Sequence, residues 1–372
     1  MVLVAGAVVA VAAAGATVAF AYFGPTPGEV YRVWLDGRRI DLSRSAADDT
    51  FPVVSPDGRR VAFVSDRGGG ALHLYVVGID GNRLERVSSA FQTDQSLLQQ
   101  LAWSPDSKRL AVALAGGVLY VIGPGRRQRI VATSPPILLA PAWSPDGRMI
   151  AFDVGTDRNP GTEVVSASGK RSWRVRGRRI GSGYLWGWGW SARGRLAIRR
   201  GATIRVYDEA GRLQMSFPGR SYAWSLEGKQ LASVTSNRLE VRTLAGRLLF
   251  RKSVRGLHRN QHNGLVWVDR SHVAIGGTSG TSSERTISVD ITSGGISVGN
   301  DRYFGTLSPD RRLVAEVATI GRSVVLRVSR LDGSSVRTLA RRAPCPDLIE
   351  GDIQWLRDGR SLVYDFKCQS RS

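Results

Sequence analysis

Pro52-Val53-Val54-Ser55-Pro56-Asp57-Gly58-Arg59-Arg60-Val61-Ala62-Phe63-Val64 sets an apolar run on each side of a tight turn. Proline presets φ at the first turn position, aspartate bonds its own backbone, and glycine accepts φ > 0. The unit is a β-hairpin, and it recurs. Clear copies are Leu101-Ala102-Trp103-Ser104-Pro105-Asp106 with Leu110-Ala111-Val112, and Pro141-Ala142-Trp143-Ser144-Pro145-Asp146-Gly147 with Met149-Ile150-Ala151-Phe152. Weaker copies begin at Trp190-Ser191, Tyr222-Ala223-Trp224-Ser225, Val266-Trp267 and Thr306-Leu307-Ser308-Pro309-Asp310, and the last is Ile353-Gln354-Trp355 with Asp358-Gly359. An aromatic just before the turn fills the contact between this strand and its neighbours. The turn aspartates are structural on this reading, not catalytic.

A second pattern alternates with the first: strand, glycine-centred turn, strand, as in Leu74-Tyr75-Val76-Val77-Gly78-Ile79-Asp80-Gly81-Asn82-Arg83-Leu84. Its turn glycines are Gly37, Gly81, Gly125, Gly169, Gly211, Gly246, Gly294 and Gly333, spaced by 35 to 48 residues. That is the length of a four-stranded propeller blade. The chain opens on the second pattern at Tyr31 to Ser43 and ends on the first at Ile353 to Phe366. Pairing the two ends makes one blade and removes both exposed edges. The expected fold is all-β, a propeller of four-stranded antiparallel blades over residues 31–372. Eight blades are expected, with seven left open by the degenerate copies near Trp190 and Trp267.

These repeats resemble the TolB-like and WD-repeat propeller families, which share the strand, Ser-Pro-Asp-Gly turn, strand pattern over roughly residues 30–366. The resemblance implies a partner-binding platform or the propeller of an enzyme, and so is specific for fold and weak for function. It extends only to the propeller portion; the separate α/β domain that precedes the ring in TolB is not expected here.

Residues 1–23 carry no charged side chain and are mostly Ala, Val, Gly and Leu, enough to cross a bilayer as a helix. Three readings stay open: a retained anchor, a signal cleaved near Ala21 after the Ala19-Phe20-Ala21 motif, and a buried helix. Residues 24–30 read as a short stiff linker. Arg32, Arg38 and Arg39 follow the apolar run and pull towards the cytoplasm, but folded domains are exported regardless of such charges. The propeller is expected outside the cytoplasm, with secretion after cleavage or a cytoplasm-facing scaffold as alternatives. Cys345 and Cys368 bracket the last hairpin, where a disulfide would fit an oxidising compartment; two unrelated thiols are the alternative.

The 372-residue chain has 42% hydrophobic residues and 43 glycines, which argues against a largely disordered chain and for many turns. Its 52 Arg and Lys against 31 Asp and Glu give a net charge of +21, a field that attracts polyanions. The densest source is the acid-free run from Lys170 to Arg205. Lys170, Arg171, Arg174, Arg176, Arg178, Arg179, Arg193 and Arg195 are the candidate anion- or partner-binding residues, continued by Arg199, Arg200 and Arg205 and interleaved with Trp173, Trp186, Trp188 and Trp190. Guanidinium groups grip phosphate or carboxylate bidentately. The competing reading makes Trp188 and Trp190 core and the arginines one solvated blade face.

Catalytic chemistry finds little support. Gly295-Ile296-Ser297-Val298-Gly299 matches the nucleophile elbow of the hydrolases that the prolyl oligopeptidases carry beside their propeller, but Ser297 sits in the outgoing strand of a hairpin. His258 and His262 have helical spacing without the glutamate of a zinc protease, and His73 and His272 fall in strands or turns. No phosphate-binding glycine loop appears. No catalytic residue, metal or cofactor is expected. The expected function is a membrane-tethered scaffold for a protein or anionic envelope partner, lipid or polymer; nucleic acid is not expected, and the chain is expected to be monomeric. The alternative is a propeller enzyme, such as a polysaccharide lyase, with its site in the central funnel.

Overall fold

In a computed structural model of the chain, residues 29–88, 98–132, 141–179, 189–254, 264–276, 286–299, 306–342 and 348–368 are described, apart from residues 115–116, 124–125, 157, 171, 236, 322, 332–333, 351–352 and 366. Residues 1–28, and with them the anchor or signal and most of the linker, lie outside the described residues. No helix occurs among the described residues, and every sheet is antiparallel.

Near the N-terminus stand β1 (Val30–Trp34) and β2 (Arg39–Asp41). Sheet A follows as β3 (Asp49–Val54), β4 (Arg60–Ser65), β5 (His73–Gly78) and β6 (Glu85–Arg86). Sheet B is β7 (Leu98–Trp103), β8 (Leu110–Leu114), β9 (Val118–Gly123) and β10 (Arg126–Ala132). Sheet C is β11 (Ala142–Trp143), β12 (Met149–Gly155), β13 (Pro160–Ser166) and β14 (Ser172–Arg176). Sheet D holds three strands, β15 (Leu196–Arg200), β16 (Thr203–Tyr207) and β17 (Leu213–Pro218). Sheet E is β18 (Ser221–Trp224), β19 (Gln230–Val234), β20 (Arg238–Thr243) and β21 (Leu248–Ser253). Sheet F is β22 (Gly264–Trp267), β23 (His272–Gly276), β24 (Thr286–Asp290) and β25 (Ile296–Gly299). Sheet G is β26 (Thr306–Leu307), β27 (Leu313–Ile320), β28 (Ser323–Arg330) and β29 (Arg337–Arg342). A small pair, β30 (Leu348–Glu350) with β33 (Lys367–Cys368), flanks β31 (Ile353–Trp355) and β32 (Ser361–Asp365). Sheet H joins the two ends of the chain in the order β2-β1-β32-β31, with Tyr31 opposite Tyr364.

At the degenerate copy at Trp190, sheet D holds three strands among the described residues, and Trp190 meets Leu196 through an isolated bridge. The degenerate copy at Trp267 keeps all four strands.

Alternation along the strands buries both faces of the middle strands, and an apolar cluster fills each junction from A–B through G–H and back to H–A. Burying one Val or Leu side chain contributes about 1.5–3 kcal/mol. The first strands face one another, β3 against β7, β7 against β11, β18 against β22 and β26 against β31. These are the inner strands; β2, β6, β10, β14, β17, β21, β25 and β29 are the outer ones.

The repeated aromatic does more than pack. Trp103 Nε1 donates to the Val53 carbonyl at 3.0 Å, Trp143 to Ala102 at 3.0 Å, and Trp190 to Ala142 at 3.2 Å. Trp224 donates to Gly189 at 2.9 Å, Trp267 to Ala223 at 3.0 Å, and Trp355 to Thr306 at 2.7 Å. Each indole thus adds a hydrogen bond to a carbonyl on the preceding sheet's inner edge and ties the two sheets together. Two copies lack the tryptophan. At the F–G junction Leu307 stands there, and Arg311 Nη1 donates to the Trp267 carbonyl instead. At H–A the position is Val54; the Gln354 amide accepts from Val54 N–H at 2.8 Å and donates to the Pro52 carbonyl.

The turns explain their own sequence. Ser55 Oγ donates to Asp57 Oδ1 at 2.5 Å and accepts from Arg60 N–H, while Asp57 accepts from Arg59 N–H. The same bonds recur from Ser104, Ser144 and Ser308. The last turn position is left-handed, φ 72° at Gly58 and 70° at Gly147; Ser107 (59°) and Arg311 (58°) adopt it without being glycine.

Candidate functional site

β14 is where the basic run meets the surface. Its pairing sets Arg174 opposite Glu163 and Arg176 opposite Gly161. Ser172, Arg174 and Arg176 are exposed, while Trp173 and Val175 turn inward onto the C–D cluster. A side chain at position 161 would bring its Cβ within 3.0 Å of Arg174 Nε, so the glycine lets this guanidinium lie over the backbone. Arg174 and Arg176, with Val175 between them and Asn159, Pro160 and Gly161 beside them, line an open pocket of about 350 Å³. Glu163 is the local acid. Burial raises its pKa, against the opposing charge of Arg174.

The other candidates are spread out. Lys170 lies in the turn after Ser166, where its N–H donates to Ser166 Oγ at 3.0 Å. Four strand steps separate Ser172 from Arg176, about 13 Å, so Lys170 and Arg176 sit at opposite ends of sheet C. Arg193 is exposed and Arg195 half-buried in the turn that opens sheet D. Beside them stands Glu209, its pKa raised by burial and by Asp146 and lowered by Arg148 and Arg195, so this turn shares an end with the Ser144 and Ser166 turns. Arg178 bridges to Arg199 through their backbones. Burial lowers the Arg199 pKa, the charges of Arg178 and Arg220 lower it further, and Tyr222 opposes them. Arg171, Trp186 and Trp188 lie outside the described residues.

Arg179 departs from expectation. It is fully buried, its Nε 2.9 Å from Asp153 Oδ1, and its N–H donates to Asp153 Oδ2 at 3.2 Å. Thr162 Oγ1 completes the carboxylate's shell at 2.8 Å. The counter-ion comes from β12, outside the acid-free window, so the sequence gap is not a spatial gap. The aromatics are structural too. Trp190 is buried, and Trp173 packs on Tyr207 with centroids 5.7 Å apart and donates to the Glu209 carbonyl at 3.1 Å.

The molecule's charge is sorted by radius. The outer strands carry twelve Arg or Lys, namely Arg39, Arg86, Arg126, Arg127, Arg129, Arg174, Arg176, Arg251, Lys252, Arg337, Arg341 and Arg342, against Asp41 and Glu85. The inner strands among the described residues carry no Arg or Lys and one acid, Asp49. Some rim charges are paired, as Arg251 is with Glu240 at 2.9 Å. Sequence reading found the run at sheet C and missed the rest of this rim. The available signal was cations in the strand after each glycine turn, visible only once the repeats are stacked.

Among the described residues no group of three or more His, Cys, Asp or Glu is placed to hold a metal, and no helix is long and apolar enough to cross a membrane. Ser297 lies inside β25, paired opposite Ser288. His272 meets Asp269 at 2.9 Å, and burial lowers the pKa of His73, with Arg86 adding to it. His258, His262 and Cys345 lie outside the described residues, while Cys368 pairs opposite Leu348 in the small two-stranded sheet.

The family described as TolB beta propeller domain matches residues 9–179. A Tol-Pal system protein TolB from Syntrophus aciditrophicus (strain SB) is 51% identical over 45 residues, 12% of this chain and 10% of that protein. The match thus spans a tenth of that relative's length. Among solved structures, the C-terminal WD40 domain of Sif2 superposes with a TM-score of 0.58 at 15% identity, covering 86% of this chain and 95% of that one. TolB from Acinetobacter baumannii matches with a TM-score of 0.40 at 16% identity, covering 85% of this chain and 65% of that one. The chain thus carries a β-propeller fold, and residues 9–179 of it are similar to the TolB beta propeller domain.

Proposed function

We propose that this chain is a membrane-tethered extracytoplasmic scaffold, a ring of eight blades closed by sheet H, whose basic rim receives an anionic envelope partner or an acidic protein surface. The observation that carries the reading is the sorting of charge: among the described residues, cations on the outer strands and none on the inner ones. Arginines bundled on a rim raise the local anion concentration and grip carboxylate or phosphate in a salt-dependent way. The rim of sheets B and C is the densest part, with Arg127, Arg129, Arg174 and Arg176 on neighbouring outer strands. The apolar run of residues 1–23 supplies the tether.

The test is co-sedimentation of the full chain with vesicles of anionic or neutral lipid and with anionic wall polymer, beside an oligonucleotide control. Replacing Arg127, Arg129, Arg174 and Arg176 by Gln is expected to weaken anionic binding at least about tenfold, since each cation near such a surface contributes about 1 kcal/mol. Wild-type binding is expected to fall as salt rises. Equal binding by variant and wild type would overturn the rim. A reporter fused after Ser372 that reads cytoplasmic would overturn the topology.

A further inference from the structure

An exposed outer strand is a template for strand addition, and proteins blunt such edges with charge, proline, bulges or shortness. Seven of the eight outer strands do so among the described residues. β2 carries Arg39 and Asp41, β6 is two residues long, and β14 carries Arg174 and Arg176. β10, β21 and β29 combine cations with a register shift, and β17 combines Pro218 with one. β25 has none of these. Ile296-Ser297-Val298-Gly299 is uncharged, lacks proline and pairs with β24 in unbroken register. Its apolar side chains are open to solvent, Ile296 at 43% and Val298 at 58%. No strand among the described residues pairs with its outer edge.

The surroundings define what would fit. Ile296 lies opposite Val289, and Val298 opposite Ile287. Cross-strand partners share a face, so Ile296 and Val298 extend the apolar face that packs on sheet E, where Phe250 stands at the edge of the same cluster. Lys252 stands at one end of this edge: its Nζ lies 3.7 Å from where a Gly294 Cβ would stand.

We propose that the open edge of β25 accepts an extended peptide segment of a partner as a fifth strand, apolar at alternate positions and acidic at the end that reaches Lys252. Main-chain hydrogen bonds supply the affinity and the Ile296–Val298 face the selectivity. A second copy of the chain fits less well. Four residues of edge bury far less than the roughly 800 Å² per partner of a stable complex, and each copy carries +21. The inference goes beyond the basic-rim reading and uses a different part of the molecule, so either can fail alone.

The probe is a fluorescent peptide of alternating Val and Thr with two Glu at each end, titrated into the full chain. Saturable binding is expected, weakened at least tenfold by Val298→Lys and severalfold by Lys252→Glu. N-methylation of alternate peptide amides removes the donors of the ladder and is expected to weaken binding at least tenfold, a comparison made on the wild-type chain and independent of how any variant folds. No saturable binding up to about 1 mM, or equal binding by the N-methylated peptide or by a folded Val298→Lys chain, would overturn the proposal. So would sedimentation showing a wild-type dimer that Val298→Lys dissolves, because the occupant would then be a second copy.

Discussion

The inner and outer strands of each sheet come from one repeat and share a composition of short β-formers, yet they live under different constraints. An inner strand has neighbours on both sides, and its carbonyls must find donors within the protein; six junctions use an indole N–H, and the two without tryptophan recruit Arg311 and Gln354. An outer strand faces water on one edge and tolerates arginine at every second position, as β14 does. The hub keeps a side-chain hydrogen bond across each of these junctions while changing the residue that makes it and the backbone group that receives it. The rim is free to vary its charge.

Arg179 breaks this division, and its variants test it hardest. Arg179→Gln leaves Asp153 buried without its cation, and the expected loss is about 3–5 kcal/mol. Arg176→Gln, three residues earlier in the same basic run, is expected to cost under about 0.5 kcal/mol. Urea midpoints that shift equally would erase the distinction between a hub arginine and a rim arginine.

The next comparison is between two junctions. Trp267→Phe removes the indole hydrogen bond to the Ala223 carbonyl and is expected to cost about 1 kcal/mol. Arg311→Ala removes the bond to the Trp267 carbonyl at a similar cost while keeping the left-handed backbone strain. Arg311→Gly removes that strain and is expected to be the milder of the two by about 1 kcal/mol. If Arg311→Ala leaves the thermal midpoint unchanged, the arginine does not replace the missing indole.

Smallest is the turn contribution. The Ser308 hydrogen bond holds the Asp310 carboxyl below the usual aspartate range; partial burial opposes it, and the Arg312 N–H and charge assist. A folded pKa below the unfolded one gives stability that is present above the ordinary aspartate value and lost as pH falls through the folded value. Acid unfolding below about pH 4 is therefore expected to be shallower in Asp310→Asn than in wild type. Superimposable curves would mean the turn gains nothing from ionisation.

Much of this architecture was legible because its signals are local. Ser-Pro-Asp-Gly, the glycine turns and the period of apolar runs each concern residues within a few positions, and the described turn glycines at Gly37, Gly81, Gly169, Gly211, Gly246 and Gly294 all have positive φ. The order of the two patterns also argued for a sheet shared by the chain ends, though the register of β1 on β32 is a tertiary fact. At Trp190-Ser191 the turn is kept, and among the described residues Trp190 joins sheet D only through its bridge to Leu196.

The candidate site was less legible. An acid-free window from Lys170 to Arg205 is a one-dimensional statement, whereas Coulomb energy depends on distance in space. Asp153 and Glu163 come from the two preceding strands of the same sheet, and Glu209 from the next sheet's turn. Nor does a strand pattern say which edge is left open: the Gly-Ile-Ser-Val-Gly match reads as a chance nucleophile motif until pairing shows β25 to be an unguarded edge. By itself, the sequence determined the hairpins, their turns and their alternation, because backbone dihedrals and side-chain periodicity are set by near neighbours. Only the tertiary structure decided which arginines are rim and which are core, which residue stitches each junction and which edge stays open, because charge pairing and exposure belong to groups that the chain brings together from far apart.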